Sequence, residues 1–108
     1  MFIKTYLLPS KIGAITLGPV ILIRPKYADD PGYQAHELTH QKRQYKYLII
    51  FWWILYLLSS SFRMREEVAA YKVQISYGNL NVTQAAHYLS TIYWLGISQE
   101  EAEKLLTD

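Results

Sequence analysis

The chain is 108 residues long, 51% hydrophobic and 19% charged, with no cysteine and with 11 basic against 9 acidic residues for a formal net charge of +2. That length fits one domain over 1–108 with a single core, and the missing cysteine excludes disulfides, all-cysteine metal sites and thiol catalysis. A charge this close to neutral leaves no footprint for nucleic acid, and high hydrophobicity at low net charge argues against disorder.

Met1 to Leu8 holds one lysine and a short apolar patch, which Pro9, Ser10 and Lys11 interrupt. This is not the pattern of a secretory signal, and with the missing cysteine it predicts a cytoplasmic protein. Residues 13–24 (GAITLGPVILIR) are rich in β-branched side chains and broken by Gly18-Pro19. Two short strands joined by a turn are expected there. Residues 25–32 read as a loop. Asp30 before Pro31 has the pattern of an N-cap and a first helical residue, so a helix should run over 31–46 or beyond.

Tyr47 to Leu58 is an uninterrupted apolar and aromatic run. As a helix it would span roughly 18 Å against a hydrocarbon core of about 30 Å, so it is too short to cross a bilayer. A buried helix is the plain reading, with Phe51, Trp52, Trp53 and Tyr56 as core. Basic flanks (Lys42, Arg43 and Lys46 before, Arg63 and Arg65 after) also suit a peripheral membrane contact through residues 46–65. Ser59-Ser60-Ser61 can cap a helix over 62–77 that Gly78 ends. Asn81 can cap a helix over 82–95 stopped by Gly96, with Ala85, Ala86, Leu89, Ile92 and Tyr93 as its packing face. Ser98 and Glu101 have capping-box spacing for a last short helix. The sum is an α+β fold, mainly helical, with a short N-terminal hairpin or small sheet.

Residues 36–40 read His-Glu-Leu-Thr-His. Histidines four apart share one helix face, so His36 and His40 can bind one Zn²⁺ together. Glu37 then lies beside the metal and can take a proton from a water on it. A catalytic zinc usually has three protein ligands and one open position. Asp29 and Asp30, at the start of the same helix, are poorly placed to be the third. Glu66 and Glu67 open a later helix that can return antiparallel, where a carboxylate would face the histidines. One of the two is also explained as a favourable charge in a helix's first turn. Electrophilic partners for the reacting carbonyl could come from Tyr71, His87, Tyr88, Tyr93, Arg63 or Arg65. Gln44, four residues after His40, could line the site or hydrogen-bond in the core.

HELTHQKRQY followed by RMREEVAAYKVQ resembles the small zincin metallopeptidases of the gluzincin type, and more narrowly compact bacterial and phage proteins of that kind. The resemblance covers residues 14–75. It implies one Zn²⁺ per chain held by His36, His40 and Glu67, with Glu37 as general base in the hydrolysis of a peptide or protein substrate. Tyr71 stands where many relatives have an aspartate that orients a zinc histidine. The strand over 20–24 stands where the family has the edge strand that pairs with an extended peptide. A zinc-binding protein without proteolytic activity, in a scaffold or regulatory role, is the competing reading. Oligomeric state is not encoded in any feature of the sequence.

Overall fold

The structure is a computed structural model that describes residues 1–108. Its elements run β1 (Phe2–Lys4), β2 (Ala14–Leu17), β3 (Val20–Ile23), a single 3₁₀ turn (Pro25–Tyr27), α1 (Pro31–Lys46), α2 (Ile49–Leu58), α3 (Ser60–Ser76), α4 (Val82–Thr91) and α5 (Gln99–Thr107). This is the small, mainly helical α+β fold expected from the sequence.

The β2–β3 hairpin turns at Gly18, whose φ of 61° is free of penalty only for glycine. A Cβ there would also lie 2.5 Å from Ile49 Cδ1 of α2. A third strand joins this hairpin. β1 pairs with β3 in parallel, so the sheet order is β1-β3-β2. That order corrects the expectation for residues 20–24. β3 is the central strand, with both edges taken, and the sheet's outer edges belong to β1 and β2.

α1 begins where Asp30 accepts from the Tyr33 amide, with Pro31 supplying the preset φ of a first helical residue. It packs against β2 on one side and against α3 on the other. Gln44 fastens the first contact. Its Oε1 accepts from the Gly18 amide at 2.7 Å, and its Nε2 donates to the Thr16 carbonyl at 2.7 Å. Gln44 is therefore a clamp on the outer edge of β2, and it also lines the cavity beside α1, so both expectations for it hold.

The apolar run does not form a buried helix. α2 turns only Ile49, Trp52, Trp53 and Tyr56 inward, at the i, i+3, i+4, i+7 spacing of one helical face. Ile50, Phe51, Ile54, Leu57 and Leu58 are exposed, because α1 and α3, the main neighbours of α2, cover its other side. Phe51 is thus surface, and of the four aromatics assigned to the core Trp52 alone is fully buried. No helix is long and apolar enough to cross a membrane.

α3 starts at Ser60, two residues earlier than expected, because Ser59 alone is the cap and Ser60 and Ser61 are already helical, and it ends at Ser76 shortly before Gly78. α4 is shorter than expected. It stops at Thr91, because the carbonyls of Tyr93 and Trp94 turn aside to accept from Arg63 at 2.7 and 3.3 Å. Ala85, Ala86 and Leu89 of α4 pack with Tyr71, Leu80, Ala102 and Leu106 into a hydrophobic core cluster, and α5 begins at the expected capping box.

Replacing the clamp tests how α1 is fixed. Gln44→Ala leaves the Gly18 amide and the Thr16 carbonyl unpaired and should cost about 2–4 kcal/mol, read as a lower urea midpoint at unchanged slope. An unmoved midpoint would show that the clamp contributes no stability.

Candidate metal centre

α1 brings His36, Glu37 and His40 to its inner face, and α3 brings Glu67 to meet them. All four are buried. One carboxylate oxygen, Glu67 Oε1, lies 3.3 Å from His36 Nε2 and 3.2 Å from His40 Nε2. Four donors arranged tetrahedrally at about 2.0–2.1 Å from an ion stand about 3.3–3.4 Å from one another. The two distances to Glu67 already have that length, and the three ligand atoms all lie within 4.8 Å of one another. The His36, His40 and Glu67 group can hold a metal ion.

The supporting contacts favour that use. His36 Nδ1 faces the Gln74 Oε1 acceptor at 2.8 Å, which places its proton on Nδ1 and leaves the Nε2 lone pair for an ion. The Tyr56 hydroxyl donates to Glu67 Oε2, orienting the carboxylate so that Oε1 faces the histidines. His40 Nδ1 is buried without a partner, so one ligand lacks this outer support. Burial alone would lower the His40 pKa, but the charge and hydrogen bond of Glu67 outweigh it and bring it up to about 9. Burial likewise works against the Glu67 carboxylate, but the two histidines hold it well below the usual range.

Glu66 has a different task. Its Oε2 accepts from Arg43 Nε at 2.7 Å, and its Oε1 accepts from Trp52 Nε1 at 2.6 Å. Neighbours on a helix point about 100° apart, so only one of this pair can face the histidines. It is Glu67. Glu37 is beside the ligands and outside the set. Its Oε1 accepts from Thr16 Oγ1 at 2.9 Å, while its Oε2 stands 3.8 Å from His36 Nε2.

The group faces a cavity of about 450 Å³ lined by Tyr71, Tyr88 and Tyr93 among others. The Tyr71 and Tyr93 hydroxyls share a 2.6 Å hydrogen bond, and the Tyr71 ring stands edge-on to His36 at 4.5 Å between centroids. Tyr71 therefore does not orient a histidine by hydrogen bonding, and Gln74 does so instead. Burial, reinforced by the Glu67 charge, pushes both hydroxyls well above the ordinary tyrosine range, so they remain protonated donors.

Three other candidates fall away. His87 is exposed on the side of α4 opposite Ala85, Ala86 and Leu89 and does not line the cavity. Arg65 is exposed with its guanidinium 5.8 Å from the Phe62 ring. Arg63 reaches the cavity wall, but its donors are taken by the Tyr56, Tyr93 and Trp94 carbonyls.

Sequence reasoning missed Thr16, Tyr33, Tyr56 and Gln74. Tyr71 and Gln74 follow Glu67 at i+4 and i+7, so the α3 stripe was available to it. Thr16, the one polar residue of β2, was also a signal. Tyr33 stacks on Tyr27 at 4.4 Å, and burial with the Glu37 charge raises its hydroxyl. It needs the bare backbone of Gly13, where a Cβ would fall 2.0 Å from its oxygen.

The chain matches no protein-family profile, no curated protein and no solved structure.

Two substitutions separate the neighbouring carboxylates. Elemental analysis should find about one metal ion per chain in wild type and none in Glu67→Ala. Glu66→Ala should keep the metal but lose about 2–3 kcal/mol of stability, because Arg43 and the Trp52 indole lose their acceptor. Metal retained by Glu67→Ala would remove it from the ligand set.

Proposed function

We propose that this chain is a zinc-dependent metallopeptidase acting on a peptide or protein substrate. One observation carries the reading. A carboxylate that is not a ligand, Glu37, is held by Thr16 with its second oxygen beside a buried group of two imidazoles and one carboxylate, and this constellation opens on a cavity. Zinc is favoured because two nitrogens and one oxygen with room for a further ligand suit it.

When bound, zinc would supply Lewis-acid polarisation of a peptide carbonyl and make water more acidic. The protein's own groups do the rest. Glu37 accepts a proton from the attacking water and returns it to the leaving amine, a transfer worth about 10²–10⁴-fold. Thr16 keeps the carboxylate aimed for both transfers. Of the Tyr71 and Tyr93 hydroxyls, whichever accepts their shared hydrogen bond keeps its own proton free to donate to the developing oxyanion. Tyr88, half-exposed at the wall, can orient the substrate.

The sheet supports a path for that substrate. Antiparallel pairing alternates, so with Gly13 bonded to Arg24 the peptide groups of Ala14 point away from β3, along the cavity side of β2. An extended peptide could pair there. Gln44 already covers the stretch from Thr16 to Gly18, which limits such pairing to the first half of the strand.

Glu37→Gln should keep stoichiometric metal and lower hydrolysis of an unfolded protein or a peptide library by about 10²–10⁴-fold. Full activity in that variant would contradict the mechanism. Wild-type protein that holds zinc and cleaves nothing would favour the non-proteolytic scaffold reading.

A further inference from the structure

We infer that the outer face of α2, with Leu48 and Trp94 at its two ends, seats the protein on an anionic membrane surface. Three observations bear on this face and on the elements that flank it.

The first is exposure. Ile50, Phe51, Ile54, Leu57 and Leu58 stand between 46% and 83% exposed, on a helix whose opposite side is committed to the metal centre. A ten-residue helix of this kind can lie in the plane of the headgroups but cannot span the bilayer.

The second is backbone strain. Only two non-glycine residues have positive φ, Leu48 at 61° and Trp94 at 53°. Bulky side chains seldom adopt this conformation, and glycine would adopt it without penalty. Both side chains are mostly in solvent, 66% and 84% exposed, so burial in the core does not explain them. Leu48 caps the start of α2, and Arg63 ties the Trp94 carbonyl to the Tyr56 carbonyl near its end. The two strained positions thus bracket the exposed face, and each presents a large apolar group outward.

The third is charge. Residues 38–65 contain five basic residues and no acidic one, in a chain whose net charge is only +2. Lys42, Lys46 and Arg65 are exposed and free to meet anionic headgroups, whereas Arg43 and Arg63 are spent on Glu66 and on carbonyls. This charge disfavours a second copy as the occupant, since a two-fold interface through α2 would bring the same cations face to face. Anionic lipid complements them instead.

Trp53, Leu57 and Trp94 also form one rim of the cavity. A seated protein therefore opens its metal centre beside the bilayer. If hydrolysis is the reaction, the substrate class is a polypeptide segment at the membrane surface, and this clause alone rests on the peptidase reading.

The test is co-sedimentation with vesicles. Wild type should partition roughly a hundredfold more strongly onto phosphatidylcholine vesicles containing phosphatidylserine than onto phosphatidylcholine alone, and added salt should weaken the difference. Leu48→Gly/Trp94→Gly relieves the backbone at both positions. Its thermal midpoint should be unchanged or higher, while its vesicle partition falls at least about tenfold. A variant that lost stability and kept its partition would show that both residues are structural and overturn the proposal. Wild type remaining in the supernatant with both vesicle types would overturn it as well, whether the protein is then monomeric or a dimer through α2. Partition needs neither metal nor Glu37, so Glu37→Gln should bind vesicles as wild type does. Failure of docking is thereby distinguishable from failure of the hydrolytic reading.

Discussion

Glu67 reaches from α3 to set one carboxylate oxygen between the Nε2 atoms of His36 and His40 on α1, at 3.3 and 3.2 Å, and the surrounding structure depends on that contact. The helices that cross here form the most extensive packing in the molecule. Most such crossings are filled with apolar side chains. This one buries two imidazoles and the carboxylates of Glu37, Glu66 and Glu67. Burying ionisable groups is costly unless each finds a partner, and well-packed apolar residues would be at least as stable. Stability is therefore a poor explanation for this cluster. Ion binding is a good one.

Neighbouring elements supply the partners, and their arrangement follows from that demand. Gln74, two turns beyond Glu67, fixes the proton of His36. Tyr56 and Trp52 lie four apart on the inner face of α2 and satisfy Glu67 and Glu66 respectively. These two contacts hold α2 in place and leave its other side bare. Thr16 and Gln44 tie the same α1 segment to β2, so the carboxylate of Glu37 is positioned from the sheet and the ligands from the helices. The strained carbonyls after α4 are gathered by Arg63, which closes the cavity wall at its far side.

Much of this was legible in the sequence where local signals are strong. Asp30-Pro31, Ser59, Asn81 and Ser98 mark helix starts through caps that the structure realises. The histidine spacing places both rings on one face, and the Glu66-Glu67 pair points to the facing helix. Tertiary effects were hidden. β1 is three residues long and exists through parallel pairing with β3, a non-local contact with no periodic signature. The bare side of α2 was open in the sequence, which allowed both a buried helix and a surface contact through residues 46–65, because composition reports that a run is apolar and is silent on how many neighbours cover it. Spacing left Glu66 and Glu67 open and the resemblance pointed to Glu67, and the helix crossing supplies the physical reason for that choice. Tyrosines were the least legible of all. Ten occur in the chain, and only packing separates Tyr33, Tyr56, Tyr71, Tyr88 and Tyr93 at the site from the others.

The central claim is that two α1 histidines and one α3 glutamate bind a single ion together. X-ray absorption at the zinc edge, on protein reconstituted with one equivalent of Zn²⁺, tests it most directly. The account predicts a four-coordinate shell with two imidazole nitrogens and oxygen donors at about 2.0–2.1 Å, and the imidazole scattering should diminish when His36 or His40 is replaced. An all-oxygen, six-coordinate shell, or a spectrum unchanged by those replacements, would contradict it.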